Sequence, residues 1–195
     1  MVGLRLISEK IKMKIVNIRQ SDFEQVYELF RSAQIRKQDL SKPVSRGFYE
    51  YDLKEQNLAE RLKGGYSFAL KDNHDKILAY MISYRMNSIT DEAMICGEHK
   101  DLVLQKLKNQ DIVYADQLFV RPELPVFIAG RLIDFWDYVM QNENVQRIVT
   151  AIPQKPWKNE SSTRFALCRG FKREDSVNSN DVELGLFAKP YWKKQ

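Results

Sequence analysis

The sequence is poor in cysteine and histidine, with two residues of each among 195. Cys96 and Cys168 lie far apart in the chain, and no histidine pattern accompanies them. This arrangement argues against a disulfide framework and against a zinc site. We expect both cysteines to be small buried hydrophobic side chains. Cysteines without a pairing pattern are typical of a reducing compartment, so we predict a cytoplasmic protein.

Long apolar runs and a strong charge of one sign are also missing. No run approaches the roughly 20 residues that a membrane-spanning helix needs, and we recognise no signal peptide in the first residues. The 31 basic and 26 acidic residues leave a formal net charge of +5. This mild excess suits an anionic ligand such as a nucleotide. Binding to RNA or DNA is possible but not favoured, because the basic residues are spread along the chain.

The composition is that of a globular protein, with 44% hydrophobic and 29% charged residues. No internal repeat, low-complexity tract or linker divides the chain. We therefore predict a single domain over residues 13–195, preceded by an extension over residues 1–12.

The stretch from Asp111 to Gln141 predicts a strand, a tight turn and an amphipathic helix. The strand is expected from Ile112, Val113, Tyr114, Leu118, Phe119 and Val120. Pro122 and Pro125 end it, because proline has no N–H to donate to a sheet. The helix is expected from Phe127, Ile128, Leu132, Ile133, Phe135, Trp136, Val139 and Met140. A helix that follows a strand so closely presents free backbone N–H groups and its positive dipole end, which suits a phosphate.

Periodic patterns on both sides of this unit predict further elements. The predicted strands are 14–19, 66–71, 77–86, 145–152, 171–174 and 182–188. The predicted helices are 53–63, 161–169, a mainly helical segment over 87–110, and one that begins with a capping box of Ser21 and Glu24. This order predicts a mixed α/β sheet with helices on both faces.

Three local motifs stand in the order found in one known superfamily. They are Ile18-Arg19 followed by Ser21-Asp22, then Tyr114-Ala115-Asp116-Gln117-Leu118-Phe119-Val120-Arg121-Pro122, then Asn159 eleven residues before Gly170-Phe171. Over residues 13–188 the sequence resembles the GCN5-related N-acetyltransferase (GNAT) superfamily. The resemblance implies an α/β fold of mixed α+β type. Its central sheet would be mixed and mostly antiparallel, with about six to seven strands, and its central strand would splay from a parallel neighbour at 145–152.

The resemblance also implies acetyl-CoA as a cosubstrate, without a metal. The backbone of Leu118 and Val120 would pair with the extended pantetheine arm as a pseudo-strand. The diphosphate would rest on N–H groups between Val126 and Arg131, where Arg131 either adds charge or is simply solvated. The expected cofactor-binding residues are Leu118, Phe119, Val120, Val126, Phe127, Ile128, Ala129, Gly130, Arg131 and Asn159.

The expected phosphate loop departs from the superfamily pattern. That pattern is Q/R-x-x-G-x-G/A, and its three defined positions fall here on Pro125, Ile128 and Gly130. Only Gly130 fits. Proline offers no N–H, and Ile128 adds bulk where glycine would let the backbone approach a phosphate.

The expected general acid is also missing. The superfamily often places a tyrosine four residues before the late Gly-Phe, and Ala166 stands there in this chain. Cys168, Tyr138 and water remain alternatives for the acid. The other alternative is that no acetyl transfer occurs.

Asp116 is the candidate catalytic base, because an ammonium must lose a proton before it can be acylated. The alternative is a carboxylate that only pairs with a neighbouring Lys or Arg. The function that we predict is an acyl-CoA-dependent N-acyltransferase that moves acetyl to a primary amine. The alternatives are a catalytically degenerate GNAT-like fold that binds a protein or nucleic acid, and an enzyme with an altered donor or acceptor. The acceptor is open, and so is the choice between monomer and homodimer.

Overall fold

The computed structural model describes most of the chain between residues 13 and 191. The described ranges are 13–35, 48–49, 55–88, 103, 106–107, 110–125, 127–155, 158–179 and 182–191. Their strands are β1 (Lys14–Asn17), β2 (Gln34–Ile35), β3 (Phe48–Tyr49), β4 (Phe68–Lys71), β5 (Ile77–Arg85), β6 (Val113–Val120), β7 (Arg147–Lys155), β8 (Lys172–Ser179) and β9 (Val182–Pro190). Their helices are α1 (Phe23–Ala33), α2 (Glu55–Leu62), α3 (Phe127–Asn142) and α4 (Glu160–Cys168), with a 3-10 helix at Gln20–Asp22.

Seven of these strands form one sheet in the order β1-β4-β5-β6-β7-β9-β8. Neighbours in the sheet are antiparallel except for β6 and β7, which are parallel. β2 and β3 form a separate parallel pair. The prediction of a mixed, mostly antiparallel sheet is confirmed.

Helices cover both faces of the sheet, as predicted. Phe30 of α1 and Leu58 of α2 are fully buried in one cluster with Tyr80 and Ile82 of β5. On the other face, Leu132 and Trp136 of α3 join a second cluster with residues of β4 to β7. Each large apolar side chain buried in these clusters contributes about 1.5–3 kcal/mol. Among the described residues, no helix is long and apolar enough to cross a membrane.

The predicted capping box at Ser21 is wrong. Ser21 lies inside the 3-10 helix, and α1 begins at Phe23. The Asp22 carboxylate accepts a hydrogen bond from the backbone N–H of Arg19 at 3.0 Å and also pairs with Lys71 of β4. Asp22 therefore takes the role that the local pattern assigned to Glu24, that of the acidic side chain which reaches back to the N-cap N–H.

Two predicted strand ends are also wrong. β7 continues through Pro153 to Lys155, with a shift of register there against β9. Proline is tolerated at such irregular positions because the ladder is already interrupted. β8 extends to Ser179, beyond the predicted end at residue 174, because pairing with β9 provides partners for the backbone groups of the added residues.

The central parallel pair is splayed. β6 and β7 are in register only at Val113 with Ile148 and at Tyr114 with Val149. β6 continues to Val120 and stays paired with β5 over that length, while β7 stays paired with β9. The two strands therefore separate beyond Tyr114, which confirms the predicted splaying and opens a gap in the middle of the sheet.

Candidate active site

The edge of β6 that faces the gap carries the backbone groups of Leu118 and Val120. The Arg121 N–H donates to the Leu78 carbonyl of β5 at 3.1 Å, so the backbone of Arg121 points toward β5. Backbone groups alternate sides along a strand, so those of Phe119 also point to β5 and those of Leu118 and Val120 point to the gap. An extended ligand chain can pair there as an added strand.

Phe119 contributes to the core rather than to this edge. Its side chain is buried, and its ring stacks on Tyr80 with centroids 5.4 Å apart and planes at 16°. The structure therefore places the predicted residues Leu118 and Val120 at the gap and turns Phe119 away from it.

The start of α3 offers fewer free donors than a regular phosphate loop. The Leu124 N–H donates to the Arg121 carbonyl at 2.9 Å, and the Ile128 N–H donates to the Pro125 carbonyl at 3.1 Å. The Ile128 donor is thus used inside the turn, and Pro125 has none to offer.

The other predicted residues at the start of α3 differ in exposure. The Ile128 and Ala129 side chains are buried, whereas Phe127 is 64% exposed and Arg131 is exposed. Val126 lies outside the described residues. An anion bound at the start of α3 would lie next to the exposed side chains of Phe127 and Arg131.

Arg169, which the sequence analysis missed, lies against Gly130. A Cβ atom added to Gly130 would come within 2.9 Å of the Arg169 guanidinium. The guanidinium forms an ion pair with Asp134, one turn further along α3, and lies 5.5 Å from the centre of the Phe165 ring. Gly130 therefore provides the space that brings a second cation near the start of α3, and Asp134 offsets part of its charge.

Asn159 caps α4. Its side-chain oxygen accepts a hydrogen bond from the Ser162 N–H at 2.9 Å, and its own N–H donates to the Pro153 carbonyl at 3.0 Å. The side-chain oxygen is therefore committed to the helix, as is typical of an N-cap.

The two side chains named as alternatives for a general acid, Tyr138 and Cys168, lie on different helices and are both exposed. Tyr138 is 65% exposed on α3. Cys168 is exposed at the end of α4, so the expectation of a buried side chain is wrong for it, while Cys96 lies outside the described residues. A cysteine in the last turn of a short amphipathic helix is exposed when the apolar face points elsewhere.

A β-bulge on β6 places Asp116. Ile82 pairs with Gln117 and Ser83 pairs with Ala115, so Asp116 is the additional residue between two consecutive residues of β5. Bulges re-aim side chains and often lie next to active sites. Here the bulge turns Asp116 toward α2, whereas Ala115 belongs to the cluster around α3.

Asp116 forms a buried ion pair with Arg61 of α2. The side chains are 9% and 3% exposed, and the guanidinium lies 5.9 Å from the centre of the Tyr84 ring. Burial raises the pKa of the Asp116 carboxyl, and the Arg61 charge opposes this rise. Asp116 is therefore paired with an arginine, as the alternative to a catalytic base expected. Its raised pKa also brings the carboxyl group closer to that of a base that works near neutral pH.

Tyr80 and Gln117 lie beside this ion pair. The buried Tyr80 hydroxyl donates to the Gln117 side-chain oxygen at 3.2 Å. Burial raises the pKa of Tyr80 well above its ordinary value, and the Asp116 charge raises it further. The side-chain nitrogen of Gln117 is buried and has no hydrogen-bond partner among the described residues, which is rare for a buried amide.

These contacts divide the site into two parts. The side chains of Arg61, Tyr80, Asp116 and Gln117 lie on the α2 side of the sheet, and the start of α3 lies on the opposite side. The open edge of β6 connects them. No group of three or more His, Cys, Asp or Glu within the described ranges is placed to hold a metal ion.

Comparisons with known proteins agree with this architecture. The chain matches no protein-family model, and no curated protein matches it in sequence. A GNAT-family acetyltransferase from Listeria monocytogenes 4b F2365 superposes with a TM-score of 0.63 at 14% identity, covering 92% of this chain and 95% of that one. The chain has the GNAT fold.

Two further solved structures show the same likeness. Arylalkylamine N-acetyltransferase 2 from Aedes aegypti has a TM-score of 0.62 at 17% identity, and 92% of this chain covers 99% of it. Naa50 from Arabidopsis thaliana, in complex with the bisubstrate analogue CoA-Ac-MVNAL, has a TM-score of 0.57 at 15% identity, again over 92% and 99% of the two chains. The predicted GNAT resemblance is confirmed at the level of the fold.

Within the GNAT fold, two of the residues on the α2 side of the sheet, Arg61 and Gln117, could hardly be recognised as site residues from the sequence. In the sequence, Arg61 has the pattern of a solvated helical residue close to Lys63. Its burial follows only from the contact of α2 with the sheet. Gln117 had one available signal. It stands with Asp116 in the middle of an otherwise apolar strand, and buried polar pairs of this kind require partners.

Proposed function

We propose that the protein is an acyl-CoA-dependent N-acyltransferase that transfers acetyl from acetyl-CoA to a primary amine. The observation that carries the proposal is the open edge of β6 next to a buried carboxylate with a raised pKa. Similar structures support it, since one is an arylalkylamine N-acetyltransferase and another binds a bisubstrate analogue of CoA and a peptide.

The residues at the gap fit an extended CoA arm. Leu118 and Val120 would pair with it through their backbone groups, and the N–H groups of Phe127 and Ala129 in the first turn of α3 would bind the diphosphate. Arg131 and Arg169 add positive charge at the same end. Because Pro125 offers no donor and the Ile128 N–H is already used, we expect weaker binding than a complete phosphate loop would give.

Asp116 is the proposed base. Acetyl-CoA supplies a thioester that reacts with a neutral amine and releases the thiol. Asp116 would take the proton from the incoming ammonium, directly or through an ordered water. Arg61 contacts the Oδ2 atom, which leaves Oδ1 for the amine. Arg61 is a positioning residue in this scheme, because it holds the carboxylate on the α2 side of the gap.

Calorimetric titration of acetyl-CoA into the protein tests the cofactor site. Gly130→Trp would fill the space beside Arg169, and Tyr138→Trp is the matched control because Tyr138 is exposed on the same helix. We expect micromolar binding by the wild type and by Tyr138→Trp, and none by Gly130→Trp. Equal binding by all three proteins would place the ligand elsewhere, and no binding by any would remove the acyltransferase proposal.

A second function is favoured by the loop itself. Pro125 has no N–H, the buried Ile128 side chain adds bulk, and Ala166 has no acidic proton. These residues fit a GNAT-fold protein that has lost the chemistry and binds a protein or nucleic acid. Titration with RNA and DNA at several salt concentrations tests the nucleic-acid form. Binding that weakens steeply with salt would support it.

A further inference from the structure

The Gln117 side-chain nitrogen is an unused hydrogen-bond donor in the interior. The residue is 2% exposed, and the nitrogen has no partner among the residues that the structure describes. Native proteins leave few buried donors unpaired, because each has lost its water without a replacement. An unpaired donor of this kind next to the proposed catalytic carboxylate indicates that an atom of a ligand accepts its hydrogen bond.

Tyr80 sets the orientation of this amide. Its hydroxyl donates to the Gln117 oxygen at 3.2 Å, and the phenol keeps its proton because burial and the Asp116 charge raise its pKa. With the oxygen occupied by that proton, the nitrogen is the end of the amide that is left to bind something else. The stacking of Tyr80 on Phe119 holds the phenol in place.

The bulge on β6 puts this donor beside the proposed base. Asp116 is the additional residue of the bulge, so Asp116 and Gln117 both turn toward the α2 side of the sheet. Asp116 contacts Arg61 on that side, and Gln117 contacts Tyr80. A substrate whose amine meets Asp116 would therefore have its neighbouring atoms next to the Gln117 nitrogen.

We propose that the Gln117 side-chain nitrogen donates a hydrogen bond to an oxygen of the acyl acceptor. The acceptor is then an amine with a carbonyl or carboxylate oxygen on the adjacent carbon, as in a peptide N-terminus or a free α-amino acid. A plain alkylamine lacks this oxygen and leaves the donor unpaired. This inference rests on the acyltransferase proposed above and adds the chemical class of its substrate.

Steady-state acetylation of three small amines tests the inference. They are an alanine-initiated peptide, alanine, and isopropylamine, which has the same branching without the carbonyl group. We expect the wild type to have a KM at least about fivefold lower for one or both carbonyl-bearing amines than for isopropylamine. The peptide and the free amino acid distinguish the two sources of the oxygen.

Gln117→Met removes the donor and keeps the length of the side chain. We expect it to raise the KM for the preferred carbonyl-bearing amine about five- to tenfold more than the KM for isopropylamine. It also removes the oxygen that accepts from the buried Tyr80 hydroxyl, so its thermal midpoint should fall, and the KM values are therefore compared between amines within the same variant. Gln141→Met is the matched control, since Gln141 is exposed at the end of α3, and it should change no KM.

Gln117→Glu provides a second variant if Gln117→Met folds poorly. Its carboxylate still accepts from Tyr80 but repels a substrate carboxylate, so the KM for alanine should rise more than the KM for the peptide. Acetylation of all three amines with equal KM, unchanged in either variant, would overturn the inference and leave the acyltransferase standing. If the protein acetylates neither these three amines nor any other amine, both the inference and the acyltransferase proposal are overturned.

Discussion

Arg61 and Asp116 are 55 residues apart in the chain and form an ion pair with both side chains almost fully buried. The pair joins α2 to the bulge of β6 and holds the proposed base on one side of the splayed strands. A buried pair of this kind adds little net stability, but the loss of one partner is costly because the other charge is left without compensation. The pair therefore links the stability of the fold to the geometry of the site.

Arg61→Met should destabilise the protein by about 3 kcal/mol, because Asp116 is left buried without its cation. Urea unfolding followed by circular dichroism measures this change. The double variant Arg61→Met with Asp116→Leu should recover most of the loss. Lys63→Met is the control, because the Lys63 pair with Glu60 is exposed, and it should change the free energy of unfolding by less than about 0.5 kcal/mol. An Arg61→Met effect no larger than that of the control would contradict the prediction.

The acid limb of the pH profile should report on Asp116. Its pKa is raised by burial and opposed by Arg61, so kcat/KM for the best amine should fall as the pH drops through a value above the ordinary aspartate pKa of about 3.9. In Arg61→Lys, which keeps the charge but not the fork of donors, the limb should stay closer to its wild-type position than in Arg61→Met. Removal of the cation moves the limb to higher pH. A limb at the same pH in all three proteins would exclude Asp116 as its source.

Stability should depend on pH through the same carboxyl group. Its pKa is raised in the folded state, so the folded protein binds this proton more tightly than the unfolded chain does. The resulting stabilisation is fully present below the unfolded pKa and is lost as the pH rises through the folded pKa. Urea unfolding of wild type and Asp116→Asn at several pH values measures it. The wild type should lose free energy of unfolding relative to the variant as pH rises, and the opposite slope would contradict the raised pKa.

Ser83→Ala should destabilise the protein by about 1–3 kcal/mol, because it leaves the indole N–H of Trp136 unpaired in the core. In the wild type that N–H donates to the Ser83 hydroxyl oxygen at 2.8 Å, and the hydroxyl donates onward to the Tyr66 carbonyl at 2.6 Å. Denaturant unfolding followed by tryptophan fluorescence measures the effect. Ser88→Ala is the control, because the Ser88 hydroxyl lies at an exposed turn. Equal midpoints for the two variants would show that the core hydrogen bond has no net value.

Asn159→Ala should cost about 1 kcal/mol of stability through loss of the α4 cap. Asn159→Asp keeps a capping oxygen and should restore that stability. Thermal unfolding of the three proteins measures the cap, and calorimetry with acetyl-CoA measures any separate role in binding. A weaker affinity in Asn159→Asp at unchanged stability would assign the side-chain amide to the cofactor. An unchanged affinity would leave Asn159 as a cap alone.

Local patterns predicted the central unit well. Pro122 ended the strand within two residues of its observed end at Val120, and the apolar period over residues 127–140 matches α3 closely. Proline chemistry and helical periodicity act over a few residues, so the sequence carries them directly. Prediction failed where a distant partner decides the outcome. The capping box lies at Arg19 and Asp22 instead of Ser21 and Glu24, and Lys71 of β4 holds the Asp22 carboxylate there. β8 is longer than predicted because β9 pairs with it.

The sequence by itself determined the order of the seven strands of the main sheet and of helices α1 to α4, the strand–turn–helix at the centre, and Asp116 as a candidate carboxylate. It did not predict the short strands β2 and β3. Only the tertiary structure decided that Asp116 is the additional residue of a bulge, because that depends on the register of β6 against β5. It also decided that Arg61 is the partner of Asp116 and that the Gln117 nitrogen has none among the described residues. Such properties depend on which atoms from remote segments share a buried space, and burial is what raises the pKa of one group and leaves another without its water.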